Sequence, residues 1–302
     1  MRRIPLIDHL VRLFPSEGKK ELYSRILCGE VKIDGEKVLD PRRPVSTEAG
    51  VEFVHDPYVS RGGLKLEHAI ARWDLQVRGK IFLDAGASTG GFTDCLLQHG
   101  ASMVYAVDVG YNQLDYTLRT NTRVKVMERT NIMSVDGLDP VPHAAVADLS
   151  FRSLRKAASH IVSLTSGRTL VALMKPQFEY RPTRDHPSAR RQQPELSNEE
   201  DVFSGVITDP QLVYRVLLSA VQDISAEGLR LGKISASPIR GRRGNREFLL
   251  LLYGPGPEEQ GGHPGRIHEA AEKEHVAEEH VQEDSEEDLR EKILAAVRGA
   301  PG

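Results

Sequence analysis

Phe82-Leu83-Asp84-Ala85-Gly86-Ala87-Ser88-Thr89-Gly90-Gly91-Phe92 is the stretch from which the fold can be read. A short apolar run ends in a carboxylate, passes through a glycine turn and opens a helix. Working outward, KIFLDAG, MVYAVDV, VKVMER, HAAVADL and RTLVALM are short runs rich in Val, Ala and Leu. Helix-like stretches alternate with them: FTDCLLQHG, YNQLDYTLR and SLRKAASHIVSL. Buried strands alternating with helices predict an α/β layered fold, a parallel sheet covered on both faces. After the helical LVYRVLLSAVQDISAEG come two extended segments, LRLGKISASPI and REFLLLLYG, joined by a tight basic loop. They are expected to pair as an antiparallel hairpin, giving seven strands in all.

The turn itself points to a nucleoside cofactor. Glycine lets a backbone approach a ligand closely, so Gly86, Gly90 and Gly91, with Ser88, Thr89 and Phe92, form the candidate cradle. The next strand ends at Asp108, about 20 residues on, where a carboxylate can take ribose hydroxyls. No G-x-G-x-x-G spacing is present, and Asp84 immediately before the turn would repel a pyrophosphate. That opposes a nucleotide-dependent oxidoreductase. Asp84 could instead receive an ammonium group. S-adenosylmethionine offers an α-amino group, a ribose and a sulfonium without any phosphate, and a seven-stranded Rossmann-like sheet with this ending fits a methyltransferase.

A second constellation is scattered along the chain: Lys65 in SRGGLKLEHA, Asp148 in ADLSF, Lys175 in LMKPQFE and Glu247 in GNREFLL. Asp148 and Lys175 fall at carboxyl ends of predicted parallel strands, the edge where open α/β sheets bind ligands. Glu247 begins the last strand. Any one of these, taken singly, reads as a solvated strand end. Convergence of two lysines and two carboxylates on the cofactor edge would not.

The 302 residues suit about two domains at roughly 150 residues each. Residues 1–57 carry two helix-period segments, IDHLVRLF and KKELYSRIL, then VKIDGEKV with an Asp-Gly turn. This is a small α+β unit of the size of an RNA-binding module. Lys19, Lys20 and Arg25 are its candidate RNA contacts, with Arg42 and Arg43 beside them. Residues 58–79 read as a linker running into a helix, and 80–253 as the α/β domain. The tail, 254–302, holds 13 acidic and 5 basic residues, leaving 30 acidic and 35 basic for residues 1–253. A mildly basic body is compatible with nucleic acid. The tail is too polar to offset ordering entropy and is expected to be disordered, although EEDLREKILAAVRG could form an isolated helix. Arg181–Ser204 is a long polar loop, carrying Arg184, Arg190 and Arg191.

No run of about 18 apolar residues is available for a membrane span, and the N-terminus has no secretory pattern. Cys28 and Cys95 match no metal or redox spacing and read as packing thiols in a reducing cytoplasm. No metal site is expected.

Taken together, YVSRGGLKLEHA, LDAGASTGGFTD, YAVDVGYNQL, ADLSF, LMKPQFE and SPIRGRRGNREFLL are specific. From about Arg3 to Tyr253 the chain resembles the TlyA family, the so-called haemolysin A proteins. These pair an N-terminal S4-like RNA-binding domain with an FtsJ-like ribose methyltransferase domain. The resemblance implies S-adenosylmethionine-dependent 2′-O-methylation of ribosomal RNA at cytidine riboses, on ribosomal subunits, with Lys65, Asp148, Lys175 and Glu247 as a catalytic tetrad. Lysine serves as a general base when burial or nearby positive charge favours its neutral form. Lys175 is assigned that role, Asp148 orients it, and Lys65 and Glu247 place the ribose and its phosphate. Arg61, Arg240, Arg242, Arg243 and Arg246 crowd the same region as candidate RNA contacts. The long Arg181–Ser204 segment, the acidic tail and the RIPLIDHLVRLFP start depart from the family pattern. Two other classes are a non-catalytic RNA-binding assembly factor, opposed by the intact tetrad, and a cytolysin, for which no membrane-active segment is readable.

Overall fold

A computed structural model describes residues 3–53, 57–150, 153–181, 205–241, 243–255 and 285–299. The chain divides between Pro57 and Tyr58 into two compact units.

In the first unit, β1 (Arg3–Pro5) pairs antiparallel with β4 (Pro44–Ser46), and α1 (Leu6–Leu13) packs on α2 (Lys19–Cys28). A second sheet runs β3 (Glu36–Lys37), β2 (Val31–Ile33), β5 (Val51–Phe53). The β2–β3 turn is Asp34-Gly35, both with positive φ (50° and 83°), which the Asp-Gly pair accommodates and which matches the twist of a two-residue hairpin. Leu6, Leu10, Leu22, Ile26 and Val31 form its core, each with no exposed surface.

The second unit is a seven-stranded sheet in the order β11-β12-β10-β9-β6-β7-β8. The parallel strands are β6 (Ile81–Ala85), β7 (Met103–Val107), β8 (Val124–Met127), β9 (Ala144–Ala147) and β10 (Thr169–Met174). β12 (Phe248–Tyr253) lies between β10 and β11 (Arg230–Ala236), antiparallel to both, so the expected pairing of the last two segments holds and β12 is inserted inside the sheet. Leu249 and Leu251 point to one face of the sheet and Leu250 and Leu252 to the other, and all four are buried. That is why the strand reads as a continuous apolar run instead of alternating. One face is covered by α6 (Ala158–Ser163) and α8 (Pro210–Ala226), the other by α3 (Gly62–Trp73) and α4 (Gly91–Gln98).

Three expectations need correction. Within 58–79 the expected helix is present as α3, but the segment is no mere linker, because α3 buries Leu66, Ala69, Ile70 and Trp73 against α4 and the sheet. In YNQLDYTLR only α5 (Tyr116–Arg119) is helical, capped by Asp115. The end of the tail is neither disordered nor isolated. There α9 (Glu286–Arg298) packs on α8 and β11, burying Ile293, Ala296 and Val297 in the main core. Its polar spacing conceals an apolar stripe at Leu289, Ile293, Ala296 and Val297, one helical face. Residues 182–204, 256–284 and 300–302 lie outside the described residues, and with them Arg184, Arg190 and Arg191.

Candidate active site

Strand register brings the sequence-predicted residues to one edge. Ala85 pairs with both Val107 and Ala147, so Gly86, Asp108 and Asp148 leave adjacent strands at the same level. Ala172 pairs with Ala147, and Met174 with Phe248. Lys175, just past the end of β10, and Glu247, just before the start of the antiparallel β12, therefore flank neighbouring strand ends. The sheet delivers two carboxylates on parallel strands and a third on a strand running the other way.

A cleft of about 400 Å³ opens at this edge, lined by Gly86, Ser88, Asp108, Asn131, Ile132 and Asp148 among others. Gly86 adopts φ +86°, and a Cβ there would lie 2.7 Å from the Asp148 carbonyl oxygen. No side chain fits that approach. Gly91 packs in the same way on the SRGG segment, where an added Cβ would meet Ser60 Oγ at 2.3 Å. Val59 N donates to Asp94 Oδ2 at 2.8 Å and fixes that segment to α4.

Asp108 accepts from Ser88 N at 2.9 Å and Gly110 N at 2.6 Å. Each amide uses one lone pair of its oxygen, leaving others to face the cleft. Asp84 is placed differently from the sequence expectation. It has no exposed surface and does not line the cleft; Thr93 Oγ1 donates to its Oδ2 at 2.6 Å, and its Oδ1 is buried without a hydrogen-bond partner. Burial pushes its carboxyl up to about 7, helped by the negative charges of Asp148 and Asp108 and opposed by Thr93. Thr89, Gly90, Gly91 and Phe92 are not cleft-lining either; Gly90, at φ +98°, opens α4, and Phe92 is buried in the core.

The two lysines are each paired. Lys175 Nζ lies 2.5 Å from Asp148 Oδ1 as an ion pair, and its hydrogen bonds go to Leu149 O (3.1 Å) and Ser150 Oγ (3.3 Å). Lys65, on α3, donates to Glu247 Oε2 at 2.6 Å, the two side chains only 11% and 5% exposed. The tetrad is thus two lysine–carboxylate pairs.

Sequence reasoning missed several residues at this edge. Glu128 accepts from Asn112, Gln113 and Leu114 amides (2.9, 3.0 and 3.3 Å) and from Arg119 (2.7 Å), shaping the loop whose Gln113 lines the cleft. The Arg119 contact, with those amides, holds its carboxyl down to about 2. Thr130, Asn131 and Ile132 complete the far wall. A polar-then-apolar step after a strand was their only signal.

The basic residues fare unevenly. Arg246 is corrected: it donates to Val297 O (2.5 Å) and Ala296 O (3.4 Å), capping the carboxyl end of α9, and burial pushes its guanidinium down. Arg25 sits between Glu17 and Glu21 (3.6 and 3.5 Å) and over the Phe53 ring, an internal role. Arg61 donates to Arg240 O (3.3 Å) and Arg240 to Gly244 O (3.1 Å), yet both remain exposed, as does Arg243. Lys19 is an exposed partner of Asp8 and Lys20 is exposed. Arg242 lies outside the described residues. Cys95 is buried and free; the side chain of Cys28 is not described.

Carboxylates in and behind the cleft repel phosphate and favour a cationic ligand. The Gly86 turn and the Asp108 and Asp148 carboxylates that line the cleft fit a cationic nucleoside. A glycine turn after the first strand, an acidic residue closing the second and one antiparallel strand beside the edge define a methyltransferase-class fold. Residues 58–253 match the FtsJ-like methyltransferase family, and the chain belongs to it. It is 39% identical over 244 residues to Hemolysin A of Brachyspira hyodysenteriae, covering 78% of this chain and 95% of that one. It is 36% identical over 257 residues to the 16S/23S rRNA (cytidine-2′-O)-methyltransferase TlyA of Mycobacterium tuberculosis, covering 83% and 90%. A solved structure from Streptococcus thermophilus, named as a hemolysin candidate, superposes with TM-score 0.64 at 29% identity, covering 99% of this chain and 97% of that one. Among the described residues no helix is long and apolar enough to cross a membrane.

Proposed function

We propose that this chain is an S-adenosylmethionine-dependent methyltransferase acting on the 2′ hydroxyl of cytidine ribose in ribosomal RNA, in the cytoplasm. The observation that carries the reading is the Lys175–Asp148 pair, whose carboxylate forms part of the cleft wall. The relative named TlyA supplies the substrate class.

When bound, the cofactor supplies an electrophilic methyl group on a sulfonium. Gly86 and Ser88 would cradle it, Asp108 would take its ribose hydroxyls, and Val109 and Ile132, which also line the cleft, would take the base. Lys175 Nζ is the group placed to accept the ribose hydroxyl proton. Asp148 orients that amine and stabilises the ammonium it becomes, while Leu149 O and Ser150 Oγ limit its swing. Lys65, held by Glu247, offers its remaining N–H donors to the ribose and its phosphate. Alignment of nucleophile and methyl carries more of the acceleration than proton removal. Positioning can supply roughly 7–11 kcal/mol, against about 10²–10⁴-fold for a general base.

RNA capture falls to the N-terminal unit, read as an S4-like module through Lys19 and Lys20, and to the exposed Arg61, Arg240 and Arg243. A target ribose is flipped out of its stack to reach the cleft. The test is direct. Purified protein with ribosomal subunits and a tritium-labelled methyl donor should yield label in 2′-O-methylcytidine after nuclease digestion. Label absent from both subunits, or found on bases only, overturns the reading.

A further inference from the structure

Lys175 is anchored a second time, from behind. It caps α7 (Pro176–Glu179), and the last residue of that single turn, Glu179, is 3% exposed. Glu179 Oε1 accepts from Leu154 N at 2.6 Å, and its Oε2 accepts from Ser153 Oγ at 2.6 Å and Arg155 Nε at 3.1 Å. Arg155, 2% exposed, also donates to Glu179 O (2.9 Å), to Ser219 Oγ (3.2 Å) and to Asp223 on α8. A carboxylate at one end of α7 thus grips three consecutive residues, 153–155. These follow the strand end whose Asp148, Leu149 and Ser150 hold the Lys175 amine at the other end of the same turn.

We infer that Arg155 and Glu179 are positioning residues that fix the Lys175 amine against Asp148, through a buried clasp between the loop after β9 and the turn after β10. The inference rests on the proposed role of Lys175 as base. Both segments leave adjacent parallel strands, and the strand ladder stops setting their separation at Ala147 and Ala172. Past that point the amine-to-carboxylate distance depends on side chains. A buried ion pair is weak evidence for stability, since apolar replacements of similar volume are often tolerated or better. A planar guanidinium with several fixed donors specifies orientation, which apolar packing does not. Supporting groups of this kind hold a reacting side chain to within fractions of an ångström, and a misplacement of about 1 Å can cost 10²-fold.

The experiment compares Glu179→Gln and Arg155→Met with the wild type in the subunit methylation assay. Glutamine keeps one acceptor for Leu154 but turns an amide N–H toward Arg155. Val221→Ala, a core truncation on α8, controls for stability loss alone. Expected are a fall in kcat of at least tenfold in both variants, with KM for RNA and cofactor affinity within about twofold of wild type. The control should keep kcat at a matched loss of Tm. Glu179→Gln combined with Ser150→Ala should cost less than the product of the single effects, because both act on one amine. Unchanged kcat, a loss that tracks Tm as in the control, or multiplicative effects would overturn the inference while wild-type transfer leaves the function standing. Absence of transfer by the wild type removes both.

Discussion

Replacing Glu247 by Gln tests the Lys65–Glu247 pair through stability as well as activity. The side chains are 11% and 5% exposed and meet at 2.6 Å across 182 residues of sequence. Neutralising the carboxylate leaves the Lys65 ammonium buried beside an amide. Breaking a buried pair by removing one partner costs about 3–5 kcal/mol. For a unit of 150–250 residues each kcal/mol lowers Tm by about 2–4 °C, so the variant should melt roughly 6–20 °C below wild type. The paired change Lys65→Met with Glu247→Leu removes both charges and should recover most of that loss, since the desolvation cost disappears with the ions. Methyl transfer should be lost in both. Thermal melts followed by circular dichroism, with the methylation assay alongside, read the outcome. A Glu247→Gln Tm within about 2 °C of wild type, or a double variant melting no higher than the single, would refute the claim that the pair is desolvated and mutually dependent.

Lys175→Ala should lower methyl transfer by about 10²–10⁴-fold, the share of a general base, with cofactor affinity near wild type by calorimetry. Asp84 provides a pH signature. Its folded carboxyl, raised to about 7, is protonated below that pH, while binding a cationic ligand favours the ionised form. Cofactor affinity should therefore fall as pH drops below 7, by at most about tenfold per unit. Asp84→Asn should flatten that slope, measured by calorimetry from pH 5.5 to 8. The same raised carboxyl makes the free protein less stable above pH 7 than at pH 5, because the ionised form is disfavoured only when folded. Arg246→Ala removes the cap on α9 and should cost about 1.5–3 kcal/mol, the range for hydrogen bonds from a charged donor, read as a lowered denaturation midpoint.

Much of the fold was legible because the strands of this sheet are buried on both faces. Runs such as FLLLLY admit few other placements. The placement of the edge residues was legible through strand ends: register puts Gly86, Asp108 and Asp148 at one level, with Lys175 just beyond the neighbouring strand. Side-chain direction was not. Asp84, one residue before the turn, faces inward to Thr93 instead of the cleft, since consecutive strand residues alternate faces. Arg246 read as an RNA contact because its sequence neighbours are basic, and only the docking of α9 shows where its guanidinium goes. The helix itself was readable in EEDLREKILAAVRG, but the long polar stretch before it concealed that it docks on the main core. Glu128 was hidden because its partners are backbone amides, which leave no mark in the side-chain pattern.

The position of β12 has a consequence for how the enzyme comes into being. The strand that completes the sheet is also the one that delivers Glu247, and its insertion between β10 and β11 must wait until both partners have left the translating ribosome. At about 5–20 residues per second, the 182 residues separating Lys65 from its partner take roughly 10–40 s to synthesise. Throughout that interval the nascent chain can fold its small first unit while Lys65 still lacks its partner Glu247. The first unit is thus free to fold before the Lys65–Glu247 pair can form.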